Sequence, residues 1–199
     1  GEKLHALYCL DLHELCSPRT SLVFHSMDLF EGAVGVENMH HSVINFVHRN
    51  LSRAEKRGAR VLDVGSYDVN GTVRDQFASS DYVGIDIRPG PNVQWVIDLS
   101  DPVCPLGILA PWNIVLCLNT LEHAKDHKAL VSAMKRITTP GGVILLSVPS
   151  PGYPRHEEPD YRRFTMADVS ELFSDCEILK MQNDCSPRGP GVLAKIRVP

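Results

Sequence analysis

Short apolar runs bounded by Gly, Pro or Asp recur from residue 60 onward, a pattern typical of buried strands. We predict five such strands, over 60–64, 82–87, 94–97, 112–118 and 143–148. Two further strands, over 176–181 and 192–198, are close enough in sequence to pair as an antiparallel hairpin.

Between several of these runs the apolar residues follow helical spacing. Residues 37–57 carry such a stripe, Asp126 is placed to cap a helix, and Thr165 with Asp168 matches a capping box. Alternating strands and helices predict an α/β fold. We expect a doubly wound, mostly parallel, seven-stranded Rossmann-like sheet with a C-terminal antiparallel hairpin.

Residues 1–36 lack this alternation, so we predict an N-terminal helical or lid segment, 1–36, ahead of a single α/β domain over 37–199. We expect the segment to meet the loop 150–164 and to form one wall of a substrate pocket with four apolar side chains, Leu22, Phe24, Met27 and Phe30. The alternatives are packing on the outer face of the sheet and a role in a homodimer.

Composition excludes several classes of protein. The 199 residues include 20 Lys and Arg, 24 Asp and Glu and 43% hydrophobic residues, so the chain is globular and its net charge is −4. It has no basic run and no apolar run of about 18 residues, so we expect neither nucleic acid nor a membrane as partner.

None of the six cysteines forms C-x-x-C, which favours reduced thiols and a cytoplasmic location. Adjacent histidines do not converge on one point, so we expect no metal site.

Acidic residues follow three successive predicted strands, at the edge where an open α/β sheet binds its ligands. Asp63 precedes Gly65, where a ligand can approach the backbone closely. Asp86 comes 21 residues after Gly65, the spacing of a nucleoside-binding βαβ unit whose carboxylate accepts hydrogen bonds from a ribose. Asp98 and the N–H of Leu99 are suited to adenine. The alternatives are a turn carboxylate at Asp63, a loop residue at Asp86 and a helix cap at Asp98.

Five motifs together resemble class I S-adenosylmethionine-dependent methyltransferases, and most of all the broad methyltransferase type 11 group. They are Val61-Leu62-Asp63-Val64-Gly65-Ser66, Gly84-Ile85-Asp86, Ile97-Asp98-Leu99, Asn119-Thr120-Leu121-Glu122-His123 and Pro140-Gly141-Gly142-Val143-Ile144. The resemblance extends from about Val36 to the C-terminus.

The resemblance implies S-adenosylmethionine as the cofactor. It implies Asp63 and Gly65 beside the methionine moiety and Asn119 between that moiety and the substrate. It also implies Asp86 at the ribose and Asp98 with Leu99 at the adenine. Ser66, the last residue of the first motif, and Ile87, which follows the second, complete the expected cofactor site.

One departure concerns the glycine-rich turn, which in the family carries three alternating glycines. Here Tyr67 and Val69 take the two later places, although Asn70 and Gly71 tolerate positive φ and keep a tight turn possible. Asp68 in this turn would repel the pyrophosphate of a dinucleotide, whereas carboxylates favour the sulfonium and ammonium of S-adenosylmethionine. The turn therefore favours a methyltransferase over a nicotinamide-dependent enzyme.

Methyl transfer is an in-line displacement that needs a base only when the nucleophile must lose a proton. The catalytic candidates are Glu122, His123 and His156, because all three are expected near the mouth of the site. The alternative for His123 is a residue at a helix start that donates to a carboxylate or a backbone group, and the alternative for His156 is a solvated loop histidine. For substrate contacts we predict three residues of the loop after the fifth strand, Tyr153, Tyr161 and Arg162. The arginines of this loop either hold an anionic acceptor or pair with neighbouring carboxylates, and we expect at least one to pair.

These residues predict a methyltransferase that acts on a small-molecule acceptor. The alternatives are a catalytically inactive methyltransferase-like scaffold and an enzyme that methylates a macromolecule. The intact acids Asp63, Asp86 and Asp98 argue against an inactive scaffold. The acidic net charge argues against nucleic acid as the methylated macromolecule.

Overall fold

A computed structural model describes residues 41–69, 71–78, 80–104, 106, 111–155 and 159–199. These residues form seven strands, namely β1 (Arg60–Val64), β2 (Asp81–Asp86), β3 (Trp95–Val96), β4 (Trp112–Leu118), β5 (Thr138–Pro149), β6 (Glu177–Ser186) and β7 (Gly189–Arg197). The segment 1–36, with its predicted wall residues, lies outside the described residues, and so does His156.

The strands form one sheet in the order β3-β2-β1-β4-β5-β7-β6. Strands β1 to β5 pair in parallel, and β7 pairs antiparallel with both β5 and β6. The predicted mostly parallel sheet with a C-terminal hairpin is confirmed. The chain runs outward from β1 to β3 and then returns to β4 beside β1, so the strand order reverses between β1 and β4 and opens a crevice at their carboxyl ends.

Helices cover both faces of the sheet, as a doubly wound fold requires. They are α1 (His41–Asn50), α2 (Arg53–Lys56), α3 (His127–Ile137) and α4 (Met166–Leu172), with short 3₁₀ helices at Arg74–Phe77 and Leu121–His123. One buried cluster joins α1 to the sheet through Val43 and Phe46, and a second joins α3 and the end of α4 to the opposite face through Leu130, Met134 and Phe173.

The helix predicted over 37–57 is interrupted in its described part. The first helix ends at Asn50. The Ser52 side chain then accepts a hydrogen bond from the N–H of Glu55, while the Glu55 carboxylate accepts one from the N–H of Ser52. This capping box starts α2 as a separate helix. The predicted caps at Asp126 and Thr165 are confirmed: each side chain accepts a backbone N–H of the first turn of its helix, α3 or α4.

In the part of the chain that the structure describes, no helix has the length and apolar character needed to cross a membrane. Cys104, Cys117 and Cys176 are free thiols, and Cys117 is buried.

Candidate active site

The carboxyl ends of β1 and β4 meet at Gly65 and Thr120. Gly65 has a φ of +77°, and its N–H donates to the carbonyl oxygen of Ile85 at 2.9 Å. A methyl group on Gly65 would lie 2.2 Å from Cγ2 of Thr120, so a larger residue would displace this side chain. Glycine is needed here for the backbone conformation and for the packing of Thr120.

Asn119 links the ends of β4 and β5. Its backbone has a φ of 53°, its N–H donates to the carbonyl oxygen of Ser147 at 2.9 Å, and its Oδ1 accepts from the Ser147 hydroxyl at 2.6 Å. Asparagine tolerates this left-handed conformation better than most residues. The chain beyond β4 therefore turns sharply at the crevice, where the resemblance implied the methionine moiety.

Asp86 ends β2 with spare capacity to accept hydrogen bonds. Oδ1 accepts the N–H of Arg88 at 2.9 Å, and Oδ2 accepts the N–H of Tyr67 at 3.3 Å. A carboxylate offers about four acceptor positions, so the described residues leave two of them unoccupied. The adjacent Ile87 is 62% exposed, which is unusual for an isoleucine at the end of a buried strand. A nucleoside fits both features, because its ribose hydroxyls can donate to the Asp86 carboxylate and its base can pack on the Ile87 side chain.

Asp98 lies beside Asp86, because the N–H of Ile97 donates to the carbonyl oxygen of Asp86 at 2.8 Å. Oδ1 of Asp98 accepts both the N–H and the hydroxyl of Ser100, at 2.9 and 2.6 Å, in an Asx turn. The described residues 99–104 form turns and no helix, so Asp98 has a turn role in place of the helix cap considered as the alternative. Oδ2 has no hydrogen-bond donor among the described residues. The Leu99 side chain is buried. The turn role thus uses one oxygen and leaves the other for a ligand.

This division gives a test with Asp98→Asn. The amide oxygen can keep the bonds to Ser100, so we expect an unchanged melting temperature. The amide NH₂ then replaces Oδ2 and faces the amino group of adenine, so affinity for S-adenosylhomocysteine should fall about five- to tenfold in calorimetry. Wild-type affinity in the folded variant would leave Asp98 with the turn role alone.

Asp63 is buried, and its carboxylate is bonded within the protein. Oδ2 accepts the Tyr82 hydroxyl at 2.6 Å and the Asn92 amide at 3.5 Å. Burial raises the pKa of Asp63 to about 6, although the Tyr82 bond opposes this shift. The Ser66 hydroxyl is also bonded internally, since it donates to the carbonyl oxygen of Asn92 at 3.2 Å. The side chains of Asp63 and Ser66 therefore hold the loops after β1 and β2 together.

Glu122 is 2% exposed in the 3₁₀ helix after β4, and its Oε2 has no hydrogen-bond partner among the described residues. Burial raises the pKa of Glu122 to about 8. The backbone hydrogen bond of Glu122 opposes that rise, Asp160 adds to it, and Arg163 lowers the pKa. A buried carboxyl with an unsatisfied oxygen is costly to stability and is typical of a functional site.

His123 carries its proton on a defined nitrogen. Nδ1 forms a short hydrogen bond with the carbonyl oxygen of Pro159. A carbonyl only accepts hydrogen bonds, so Nδ1 is the donor and the neutral ring keeps its lone pair on Nε2. Nε2 lies 3.9 Å from Oε1 of Glu122. The N–H of Tyr161 donates to the carbonyl oxygen of Glu122 at 2.9 Å, so the segment after β5 packs directly on this pair.

The arginines of that segment are bonded to the protein. Arg163 forms a buried bidentate pair with Asp160, and Arg155 donates to the carbonyl oxygen of Asp160. Arg162, a predicted substrate contact, lies 3.6 Å from Asp168 and is about half exposed. Pairing of at least one arginine is confirmed.

The two tyrosines predicted as substrate contacts differ in their surroundings. Tyr161 is 51% exposed beside Glu122. Tyr153 is half-buried, because its ring packs on Gly189, where a methyl group would lie 2.8 Å from Cδ2. Tyr161 adjoins the Glu122–His123 pair through a backbone hydrogen bond, and the Tyr153 side chain interacts electrostatically with Glu122.

Sequence reasoning missed Tyr82, Asn92, Arg74 and Asp160. Asn92 has a φ of 67°, and Arg74 donates to its Oδ1 at 2.7 Å, so both belong to the network around Asp63. The only signal in the sequence was Pro91-Asn92, a turn pair that tolerates positive φ. Among the described residues, no group of three His, Cys, Asp or Glu side chains could hold a metal ion.

The buried Glu122 predicts a pH-dependent stability. The folded chain keeps the Glu122 proton to about pH 8, whereas the ordinary pKa is 4.5. The unfolded state binds fewer protons in this interval, so the free energy of unfolding decreases as pH rises from about 5 to 8. Glutamine does not titrate, so Glu122→Gln should remove the contribution of Glu122 to this decrease in the free energy of unfolding. At about 1.4 kcal/mol for each pKa unit, that contribution is up to about 5 kcal/mol.

Urea unfolding at several pH values measures this slope. The control is Glu177→Gln, at an exposed position that should keep the wild-type slope. Parallel curves for Glu122→Gln and the wild type would contradict a protonated Glu122 in the folded chain.

A doubly wound sheet of this strand order, with acids at the ends of β1, β2 and β3, defines a class I S-adenosylmethionine-dependent methyltransferase. The chain belongs to the methyltransferase domain family, whose model matches residues 36–175. No curated protein matches the chain in sequence.

Solved structures share the fold at low identity. The 1,6-didemethyltoxoflavin-N1-methyltransferase of Burkholderia thailandensis, with bound 1,6-didemethyltoxoflavin and S-adenosylhomocysteine, is 17% identical with a TM-score of 0.62, over 79% of this chain and 77% of that one. The N-methyltransferase NodS of Bradyrhizobium japonicum, in complex with S-adenosylhomocysteine, is 13% identical with a TM-score of 0.60, over 79% and 85%. Magnesium protoporphyrin IX methyltransferase of Synechocystis, with bound S-adenosylmethionine, is 15% identical with a TM-score of 0.56, over 79% and 76%.

Proposed function

We propose that this methyltransferase acts on a small-molecule acceptor whose nucleophile gives up its proton to His123. The observation that carries the proposal is the bond from Nδ1 of His123 to Pro159, which leaves the Nε2 lone pair at the carboxyl end of β4. Two of the structural neighbours are named for small molecules, 1,6-didemethyltoxoflavin and magnesium protoporphyrin IX, and together with the net charge of −4 they support an acceptor other than nucleic acid.

The described residues fit the cofactor at three places. Asp86 would accept the ribose hydroxyls, with Ile87 against the adenine and Oδ2 of Asp98 at its amino group. Gly65 and Asn119 would border the methionine moiety at the strand-order reversal. S-adenosylmethionine supplies a methyl group that its sulfonium activates for displacement. The internal bonds of Asp63 and Ser66 make them supports of this site, and their side chains do not contact the cofactor in the proposal.

Glu122 would assist His123 after proton transfer. The positive charge on the protonated imidazole would lie 3.9 Å from Oε1 of Glu122 in a buried setting, where an opposite charge is strongly favourable. The field of that charge also lowers the pKa of Glu122 and favours its carboxylate. Glu122, which is protonated at neutral pH while His123 is neutral, would lose its proton to solvent as His123 gains one, so the protonated imidazole would face a carboxylate.

Three further expectations remain part of the proposal. We keep the division into a segment 1–36 and a domain 37–199, with His156 as a second candidate base and Tyr153 as a candidate substrate contact. The free thiols, of which Cys117 is buried, support a reducing, cytoplasmic location.

The test combines binding and turnover. Calorimetry with S-adenosylhomocysteine should show one site for each chain, and methyl-labelled S-adenosylmethionine should transfer label to a small molecule identified by mass spectrometry of co-purified ligands. Binding without transfer to any small molecule, together with label on protein or nucleic acid, would contradict the proposed acceptor. Absence of binding would favour the inactive scaffold.

A further inference from the structure

Tyr67 occupies a place that is glycine in the family's turn, and the structure shows how its ring is accommodated. The ring packs on the backbone of Gly90, in the loop after β2. A methyl group at Gly90 would lie 1.7 Å from Cε2 and 2.2 Å from Cδ2 of Tyr67. The Arg88 guanidinium lies over the same ring, 5.1 Å from its centroid. The loop after β1 thus carries an aromatic ring where the family has a glycine, and Gly90 in the loop after β2 leaves room for that ring.

Backbone hydrogen bonds join the two loops next to this contact. The N–H of Tyr67 donates to Oδ2 of Asp86 at 3.3 Å, and the N–H of Asp68 donates to the carbonyl oxygen of Pro91 at 3.1 Å. The N–H of Arg88 donates to Oδ1 of Asp86 at 2.9 Å. The Asp86 carboxylate is therefore held by one N–H from each loop.

The bond from Tyr67 to Asp86 is sensitive to displacement. At 3.3 Å it lies just beyond the usual range of about 2.7–3.2 Å for N–H···O bonds, so any further separation of the two loops weakens it. The separation of the two loops at this point depends on the ring of Tyr67, which lies in direct contact with Gly90.

We propose that Tyr67 and Gly90 are positioning residues for the cofactor: the aromatic ring on Gly90 sets the separation of the two loops and so orients the Asp86 carboxylate toward the ribose hydroxyls. The inference rests on the proposed role of Asp86. Tyr67, at a glycine position of the family's turn, would orient Asp86 through its ring and would not touch the reacting atoms.

The experiment compares the binding of two ligands, S-adenosylhomocysteine and its analogue lacking both ribose hydroxyls, by calorimetry. The wild type should prefer the ligand with hydroxyls by at least tenfold. Gly90→Ala, which displaces the ring, should weaken S-adenosylhomocysteine binding about five- to tenfold and leave the analogue nearly unaffected, so the preference shrinks by the same factor. Pro89→Ala, at the neighbouring exposed position, is the control and should keep the wild-type preference.

Variants of Tyr67 give the same test without a clash. Tyr67→Phe keeps the ring and should bind as the wild type, whereas Tyr67→Ala should lose preference as Gly90→Ala does. The double variant Tyr67→Ala/Gly90→Ala should equal Tyr67→Ala alone, because the added methyl group then meets no ring.

An unchanged preference for the hydroxyls in both Gly90→Ala and Tyr67→Ala would overturn the positioning role while leaving Asp86 at the ribose. A wild type that binds both ligands equally would instead remove the ribose assignment of Asp86, and the positioning role with it.

Discussion

Asp86→Ala should reduce affinity for S-adenosylhomocysteine by about 30- to 100-fold. Two hydroxyl bonds to a charged acceptor are lost, and hydrogen bonds to a charged group contribute more than the roughly 1 kcal/mol of a neutral bond. The removed carboxylate also releases the N–H groups of Tyr67 and Arg88, so the two loops lose a common anchor. Calorimetric titration of the folded variant measures the effect.

Asp81→Ala is the matched control. Asp81 begins the same strand that Asp86 ends and is exposed, and its side chain forms a surface pair with Arg60 at 3.5 Å as its only ion pair with a described residue. Its removal should leave cofactor affinity unchanged. Equal affinities for the wild type and Asp86→Ala would exclude Asp86 from the cofactor site, whatever the enzyme's activity.

His123→Ala should lower turnover by about 10²- to 10⁴-fold at neutral pH, because a positioned general base contributes a factor of that size. Affinity for S-adenosylhomocysteine should remain near the wild-type value, since the proposed cofactor contacts lie at other residues. The measurement is kcat with a saturating acceptor, beside a calorimetric titration of the same variant.

His48→Ala, at an exposed position on α1, should keep full activity. Added imidazole should restore part of the lost turnover of His123→Ala, because it can occupy the vacated space and supply a lone pair. Turnover within a few-fold of the wild type would show that the acceptor needs no base at this position, and His123 would then serve only to hold the loop at Pro159.

Asp63 illustrates a residue whose place in the chain was predictable and whose partners were not. The apolar run before it predicted its position at the end of β1. Its burial depends on Tyr82, 19 residues later, which lies within hydrogen-bond reach because β1 and β2 pair in a register that places Val61 opposite Tyr82. Periodicity shows that both strands exist and does not determine their register.

Glu122 illustrates the same division at the catalytic side. Its motif marked it as a candidate, but its buried, unsatisfied oxygen arises from the segment around Pro159, which bonds to His123 across 36 residues of sequence. The ion pair of Arg163 with Asp160 is also visible only in the tertiary structure. The sequence allowed either this pair or an arginine that holds an anionic acceptor.

The sequence by itself determined the alternation of strands and helices, the parallel sheet with its hairpin, and the set of acids at the ends of β1, β2 and β3. It could do so because burial patterns and strand ends are local properties, and the ends of parallel strands necessarily lie along one edge. Only the tertiary structure decided which groups on that edge remain available to ligands. Hydrogen bonds between loops, such as those of Asn92 and Tyr67, depend on positive φ values and close contacts between segments distant in sequence, and these arise only when the strands are brought side by side.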